Sequence, residues 1–317
     1  MGRSPRCRQW CCKRPGVTVV ESLVVLAIVG LLFSMALPAV AASRAASHRL
    51  ACVNNLKQYT LAYENYSWQY GVGPSQTAVT VSLSPFLEVG PFGDLQHVAN
   101  DDEPTPEVSA CPATLFDQSF GAISYGPFSY ISDQQARAVG QHGLLWMLDP
   151  SEVPDGGSNT VCFSELLLQS RMVWQPDGTY YIYPNDGDDR RISWDTDAGW
   201  TVGVHPTVVQ VDAFADLCQR ERRSQGSFHS YEIGMSMGLS NPVLNNINTP
   251  NTPPCHVVPG PNRLDYRHSL SPSSDHPGGV NVSFVDGRVT FVSDSVDRTL
   301  WWAAISANGA EPEIFAD

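Results

Sequence analysis

The first hydrophobic segment of the chain is long enough to cross a membrane. From Ser22 to Ser43 no side chain is charged, and as a helix these 22 residues would span roughly 33 Å. One acidic residue, Glu21, comes directly before this run, and Pro38 lies inside it. Apolar and aromatic residues then recur at intervals of three and four, which predicts an amphipathic continuation of the helix. The predicted stripe is Leu50, Val53, Leu56, Tyr59, Tyr63 and Tyr66, and Gly71 and Gly73 predict the helix end.

Beyond Gly73 the pattern changes to short strand-like runs separated by Pro, Gly, Asn and Asp. Strands are predicted within residues 122–131, 158–165, 179–184 and 207–214, and loops over 101–110 and 241–255. Strands do not alternate with long amphipathic helices, which argues against a doubly wound α/β fold. The pattern therefore predicts an antiparallel β-rich body.

A hairpin is the clearest element near the C-terminus. Apolar and polar residues alternate on both sides of Asp286-Gly287, which favours a type I′ turn and a hairpin over 279–292. A closing helix is predicted over 295–308, with Asp294 or Ser295 as its N-cap and Gly309 as its stop.

Charge divides the chain into two parts. Residues 1–16 contain five basic residues and no acidic residue, whereas the remainder has 14 basic and 32 acidic residues, a formal charge of −18. An acidic body repels phosphates, so nucleic acids are excluded as partners. Positive charge before the hydrophobic run predicts a cytoplasmic N-terminus and a body outside the cytoplasm.

Five cysteines lie outside the basic leader. No CxxC pair occurs among them, which argues against a structural zinc site and predicts no bound metal. If the body leaves the cytosol, up to two disulfides can form and one thiol stays unpaired. The spacing leaves the pairing open among Cys52, Cys111, Cys162, Cys218 and Cys255.

The N-terminal pattern of basic residues, Gly16 and an apolar helix with Glu21 near its start resembles the class III signal of type IV prepilins and pseudopilins. This resemblance implies cleavage between Gly16 and Val17 by a prepilin peptidase, followed by N-methylation. Glu21 then becomes the fifth mature residue and Pro38 the twenty-second. The carboxylate of Glu21 would pair with the α-amine of a neighbouring subunit and set the axial register between helices.

The same resemblance implies a structural subunit rather than an enzyme. Its implied location is the inner membrane, as a single-pass protein with a periplasmic body, and it could reach a cell-surface filament. Its implied partners are the prepilin peptidase, a pilus or secretion assembly platform and sibling pilin-like subunits. Three alternatives remain: a signal peptide cleaved after Ala39-Val40-Ala41, a plain membrane anchor, and a tethered binding or hydrolytic module that uses the signal only for export.

Motifs further along the chain resemble one family more closely. His276, nine residues, and then Asp286-Gly287 is similar to the C-terminal signature of a prepilin-like family known as domain of unknown function 1559. CVNNLKQYTLAYENY after the helix, the Cys-Pro at 111–112 and SNTVCFSE at 158–165 agree with it. The resemblance implies an α+β, pilin-like fold: a leader over 1–16, a helix over 17–70 and a β-rich body over 71–317.

Three further patterns suggest chemistry, and each has a simpler interpretation. GMSMG at 234–238 fits G-x-S-x-G with Ser236 as nucleophile, but no helix follows as that motif requires, so no hydrolase is predicted. The acidic loop 185–197 could bind Ca²⁺ but lacks the EF-hand spacing, and solvated carboxylates are favoured. A metal set of His268, Asp275, His276 and Asp286 is possible, but a turn at Asp286 and a hydrogen-bonded His276 are favoured.

Overall fold

A computed structural model describes residues 18–74, 82–87, 111–113, 125–127, 149–167, 172–174, 180–182, 192–196, 208–220, 225–229, 248–257 and 268–305. Gly16, Val17, Ser236, Gly309 and most of the loop 185–197 lie outside them. The chain forms two compact units, Met1–Ser47 and His48–Asp317.

Helix α1 runs from Val19 to Tyr70 with Pro38 inside it. Every residue from position 18 to position 50 is exposed, and within the described residues this helix alone is long and apolar enough to span a membrane. The helix ends where the glycines predict. Gly71 has a φ of +69°, and its N–H donates to the carbonyl oxygen of Ser67 at 2.8 Å.

The second part of α1 buries one face. The stripe is confirmed for Leu56, Tyr59 and Tyr63, which are buried, and is wrong for Leu50, which is 64% exposed. Leu50 precedes Cys52, the first buried residue of the helix, so the periodicity begins before the contact with the body does. The rings of Tyr59 and Tyr63 contact Phe163, with centroids 5.7 and 6.1 Å away.

The described part of the body contains ten strands: β1 (Tyr125–Pro127), β2 (Val161–Glu165), β3 (Met172–Trp174), β4 (Tyr180–Ile182), β5 (Ile192–Thr196), β6 (Gln225–His229), β7 (Cys255–Val257), β8 (His268–Ser269), β9 (Gly279–Phe284) and β10 (Val289–Ser293). The main sheet is antiparallel, in the order β1-β2-β9-β10. Every residue of β2 and β9 is buried, so side chains on both faces of this sheet enter the core. One core cluster contains the buried face of α1, and another contains Trp301.

The remaining strands form two further sheets, one of two strands and one of four. β3 pairs with β4, and the order of the other sheet is β6-β5-β7-β8. In that sheet β5 and β7 run parallel, so the mainly antiparallel body includes one parallel pair. A long apolar helix with a small antiparallel sheet confirms the predicted α+β, pilin-like fold.

The strand predicted over 207–214 is wrong, because this stretch begins helix α2, Val208–Arg220. Its valines favour a strand by propensity, but propensity is a weak constraint when packing favours another structure. Phe214, Ala215 and Cys218 are buried at helical spacing, and they form a core cluster with Cys255. A disulfide between Cys218 and Cys255 closes that cluster.

Helix α3, Arg298–Ile305, begins three residues later than the sequence predicts, and residues 306–308 lie outside the described part. The sequence favours Asp294 or Ser295 as N-cap, but Asp297 fills that role. Its carboxylate accepts hydrogen bonds from the N–H groups of Thr299 and Leu300, at 2.9 and 3.2 Å. These bonds hold the pKa of Asp297 below its ordinary value.

The hairpin lies where the sequence predicts it, but its turn is of another type. Only Gly287 has a positive φ, +83°, and Asp286 does not, so the turn is not type I′. The Gly287 N–H donates to the Phe284 carbonyl at 3.0 Å, and Phe284 N–H donates to the Arg288 carbonyl at 2.8 Å. The loop therefore has three residues, with the positive φ at its last position.

Candidate functional site

Glu165, the last residue of β2, is a carboxylate buried inside the body, with 2% exposure. Its Oε2 accepts the backbone N–H of Asn281 at 2.8 Å, and its Oε1 accepts the Asn281 side-chain amide at 2.8 Å. The Nε2 atom of His276 lies 3.1 Å from Oε1. Three polar contacts from the same sheet and its approach segment thus stabilise the buried charge.

His276 is held in place by the segment that leads into β9. Its backbone N–H donates to Ser274 Oγ at 3.1 Å, and that hydroxyl donates to the Gly279 carbonyl at 2.7 Å. The ring is 6% exposed, and its Nε2 lies 3.8 Å from Cys111 Sγ. The loop before the hairpin therefore fixes the imidazole between a carboxylate and a sulfur atom.

A disulfide between Cys52 of α1 and Cys111 completes the site. Cys111 Sγ lies 4.0 Å from Glu165 Oε1. We define the Glu165 cluster as Cys52, Cys111, Glu165, His276 and Asn281. The sulfur, nitrogen and carboxylate ligand atoms of its first four members all lie within 4.8 Å of one another, and no second group of this kind occurs in the described part of the chain.

The cluster combines one acid, one imidazole and two sulfur atoms in a buried place. Exposure of its members does not exceed 6%. Burial favours a structural or metal-binding role over turnover of a soluble substrate, because such a substrate must reach the reacting groups. Cysteine, histidine and glutamate are also the side chains that bind Zn²⁺ in proteins.

The other three cysteines of the body have separate roles. Cys218 pairs with Cys255, and Cys162 is a free, buried thiol. Burial raises the pKa of Cys162 to about 12, although hydrogen bonds with Ser283 and Thr60 oppose the shift. The sequence predicts at most two disulfides and one unpaired thiol, as found; the structure alone supplies the pairing.

Glu21, predicted to act in assembly, caps its own helix. Its Oε2 accepts hydrogen bonds from the backbone N–H and the hydroxyl of Thr18, both at 2.8 Å, and Thr18 Oγ1 accepts the Glu21 N–H at 3.3 Å. This reciprocal pattern is a capping box, and the Thr-x-x-Glu spacing of residues 18–21 is its sequence signal.

The structure separates the two halves of the C-terminal signature. His276 contacts Glu165, whereas Asp286 lies in the hairpin turn and accepts the Arg288 N–H at 2.9 Å. The possible metal-ligand set of His268, Asp275, His276 and Asp286 differs from the group of ligand atoms that surrounds His276 in the structure. The side chain of His268 lies outside the described part, and Asp275 is half-buried.

Two members of the cluster, Glu165 and Asn281, were missed as site residues. A signal for Glu165 was present, because it is an acidic residue two positions after the apolar run Val161, Cys162 and Phe163 of a predicted strand. Lone acidic residues are rarely fully buried unless they are paired. No local pattern distinguishes Asn281 from other polar residues of an alternating strand.

Comparison with known proteins gives one match. A family described as "Protein of unknown function (DUF1559)" matches residues 98–299, more than half of the chain. No curated protein and no solved structure matches the chain. The matched range contains every cluster residue except Cys52.

Each of the four stretches that carry the resemblance to this family supplies one residue to the Glu165 cluster. Cys52 opens CVNNLKQYTLAYENY, Cys111 is in the Cys-Pro pair, Glu165 ends SNTVCFSE and His276 begins the C-terminal signature. Stretches that are far apart in sequence therefore meet at one buried place.

Proposed function

Because the chain belongs to the DUF1559 family and carries one helix long and apolar enough to span a membrane, we propose that it is a membrane-anchored, pilin-like structural subunit. A prepilin peptidase cuts it between Gly16 and Val17 and methylates the new N-terminus. The helix holds it in the inner membrane, with the body on the periplasmic side. An assembly platform then adds it to a pilus or a type II secretion-like pseudopilus of sibling subunits.

The division of α1 carries this proposal. Residues 18–50 are exposed although most of them are apolar, whereas residues from Cys52 onward bury one face in the body. In water an exposed apolar helix of this length is unfavourable, so lipid or other apolar helices must cover it. A filament supplies such cover once the helix leaves the membrane, because neighbouring subunits contribute the same surface.

Glu21 can cap its own helix and still contact a neighbour. Both hydrogen bonds that Thr18 donates are accepted by Oε2 of Glu21. The other carboxylate oxygen, Oε1, can therefore accept a hydrogen bond from a neighbouring subunit. The α-amine of Val17 in an adjacent subunit is a partner of opposite charge. Only one axial stagger brings these two groups together, and this pairing would set the register of the filament.

The first test maps the N-terminus of the protein isolated from membranes, by mass spectrometry. The proposal expects a methylated N-terminus at Val17. A terminus near Ala42 would indicate ordinary signal cleavage and would contradict the prepilin interpretation.

The second test separates the cap from the charge. Glu21→Gln keeps an oxygen for the capping box but has no negative charge to form an ion pair with the α-amine, so it is expected to anchor normally and to fail to enter filaments. Thr18→Val removes the capping hydroxyl and keeps the carboxylate, so it is expected to enter them. The measurement is the amount of each variant in sheared filaments relative to membranes.

One result would contradict the role of the Glu21 charge, and another would contradict the subunit function. If Glu21→Gln enters filaments as well as the unaltered protein, the charge has no role in assembly. If no filament contains the protein although its N-terminus is processed, the tethered-module alternative is favoured.

A further inference from the structure

The disulfide between Cys52 and Cys111 occupies a place where reduced cysteines would meet two more metal ligands. His276 Nε2 lies 3.8 Å from Cys111 Sγ, Glu165 Oε1 lies 4.0 Å from it, and Nε2 and Oε1 are 3.1 Å apart. In a tetrahedral zinc site with bond lengths of about 2.0–2.3 Å, neighbouring ligand atoms are about 3.3–3.8 Å apart. The present separations are close to those values.

We propose that the reduced chain binds one Zn²⁺ ion at this place, through the thiolates of Cys52 and Cys111, the Nε2 atom of His276 and the carboxylate of Glu165. Disulfide and metal are then alternative cross-links between α1 and the rest of the body, one for the oxidised chain and one for the reduced chain. This inference does not rest on the proposed function, since it applies equally to a filament subunit and to a tethered module.

The surroundings of the four ligands suit a metal ion. Asn281 donates two hydrogen bonds to Glu165 and orients its carboxylate, as outer groups commonly do at metal sites. Ser274 fixes the backbone of His276. Two thiolates, one carboxylate and a neutral imidazole bring the complex to a net charge of −1, the same as in a Cys₃His zinc site.

Only the two sulfur atoms must move. Their Cα atoms are 5.1 Å apart, and rotation of the two side chains can separate the sulfurs once the bond between them is broken. The residues come from four distant parts of the chain, which is why the absence of a CxxC pair did not exclude this site.

The second disulfide provides an internal control. Cys218 and Cys255 lie in an apolar cluster with Phe214, Ala215 and Trp302. Within the described residues no third ligand forms a group with them. Reduction therefore produces two pairs of thiols, and among the described side chains only Cys52 and Cys111 have a histidine and a glutamate beside them.

Preparation of the metal-bound form takes two steps, reduction of the disulfide and then binding of the ion. A trialkylphosphine breaks the S–S bond, is oxidised to its phosphine oxide with an oxygen atom from water, and leaves two protonated thiols. Binding of the divalent ion then releases those two protons to the buffer, and the neutral imidazole of His276 carries its proton on Nδ1 while Nε2 binds the ion.

The experiment uses the full chain in detergent, with Cys7, Cys11 and Cys12 replaced by Ser so that leader thiols cannot bind metal. The protein is reduced with tris(2-carboxyethyl)phosphine without oxygen and titrated with Co²⁺, which reports thiolate ligands by charge-transfer absorption and tetrahedral geometry by its visible bands. Zn²⁺ is then added to displace it. We expect one Co²⁺ per reduced chain, displacement by Zn²⁺, and no such bands in the oxidised chain.

Four variants locate the ion. Cys218→Ser/Cys255→Ser is expected to bind like the unaltered protein, and Cys52→Ser/Cys111→Ser is expected to lose the bands. His276→Asn and Glu165→Gln keep all thiols and remove one ligand each, so each is expected to weaken binding at least about tenfold. Far-UV circular dichroism checks the fold of every variant.

Three results would overturn the inference: no thiolate–cobalt absorption in the reduced protein, unchanged absorption in Cys52→Ser/Cys111→Ser, or unchanged affinity in both His276→Asn and Glu165→Gln. The last result is decisive even if the cysteine variant does not fold, because the two ligand variants retain the cysteines.

Discussion

Glu165 is buried at the end of a strand in which every residue is buried, and its carboxylate is stabilised by Asn281 and His276. A buried charge costs free energy unless hydrogen bonds replace water. Glu64 is in a different environment, because burial and the nearby charge of Asp286 raise its pKa. Removal of the charge is therefore expected to change the free energy of unfolding in opposite directions at Glu165 and Glu64.

At the scale of single residues we predict that Glu165→Ala lowers the free energy of unfolding by about 3 kcal/mol, since the N–H and amide of Asn281 lose their acceptor. Glu165→Gln keeps one acceptor oxygen and is expected to cost less. Both are measured by denaturant unfolding of the oxidised protein. The matched control is Glu64→Gln, which removes a repelled charge and is expected to leave stability equal or higher. Equal stability of Glu165→Ala and the unaltered protein would contradict the prediction.

The hairpin of β9 and β10 depends on the close approach of its two strands at Gly279. A Cβ atom built there would collide with the carbonyl oxygen of Val292. The adjacent Gly278 has a φ of +83° and open space around it. Gly279 is therefore favoured because there is no space for a Cβ atom, whereas Gly278 is favoured because of its backbone conformation.

At the scale of elements we predict that Gly279→Ala lowers the free energy of unfolding by about 1–3 kcal/mol, because the strands must move apart. Gly278→Asn is the control, since Asn tolerates a positive φ and is expected to cost less than about 1 kcal/mol. Denaturant unfolding measures both. A larger loss in the Asn variant than in the Ala variant would show that the contact with Val292 is not limiting.

The whole molecule divides at the boundary between its two compact units. All buried residues in the described part of α1 lie at Cys52 or later, and the core clusters belong to the unit His48–Asp317. Removal of the first unit therefore takes no side chain from the core. Removal of the remainder of α1 would take Leu56, Tyr59 and Tyr63 from it.

At this scale we predict that a chain beginning at His48 folds with the Cys52–Cys111 disulfide intact. In the same detergent its free energy of unfolding is expected to agree with that of the full chain within about 0.5 kcal/mol. A chain beginning at Gly71 is the control and is expected to lose its cooperative transition, because a face of the core is missing. The prediction is contradicted if the chain from His48 also unfolds without cooperativity.

Local sequence patterns determined the elements whose structure depends on residues close together in the chain. The apolar run, the glycine that ends α1 and the alternation around Asp286-Gly287 predict the long helix and the hairpin, because backbone geometry alone makes such patterns periodic. The same local reasoning was wrong for 207–214, where packing of Phe214 and Cys218 outweighs the strand propensity of valine.

Only the tertiary structure decided the pairing of the cysteines and the assembly of the Glu165 cluster. Cys52, Cys111, Glu165 and His276 are separated by more than 50 residues at each step, and no local spacing rule describes residues brought together by the packing of a helix, two loops and a strand. Burial of a charge is likewise a property of the finished core. The sequence by itself determined the long helix and the hairpin, whereas contacts between elements decided helix α2 and where the chemistry lies.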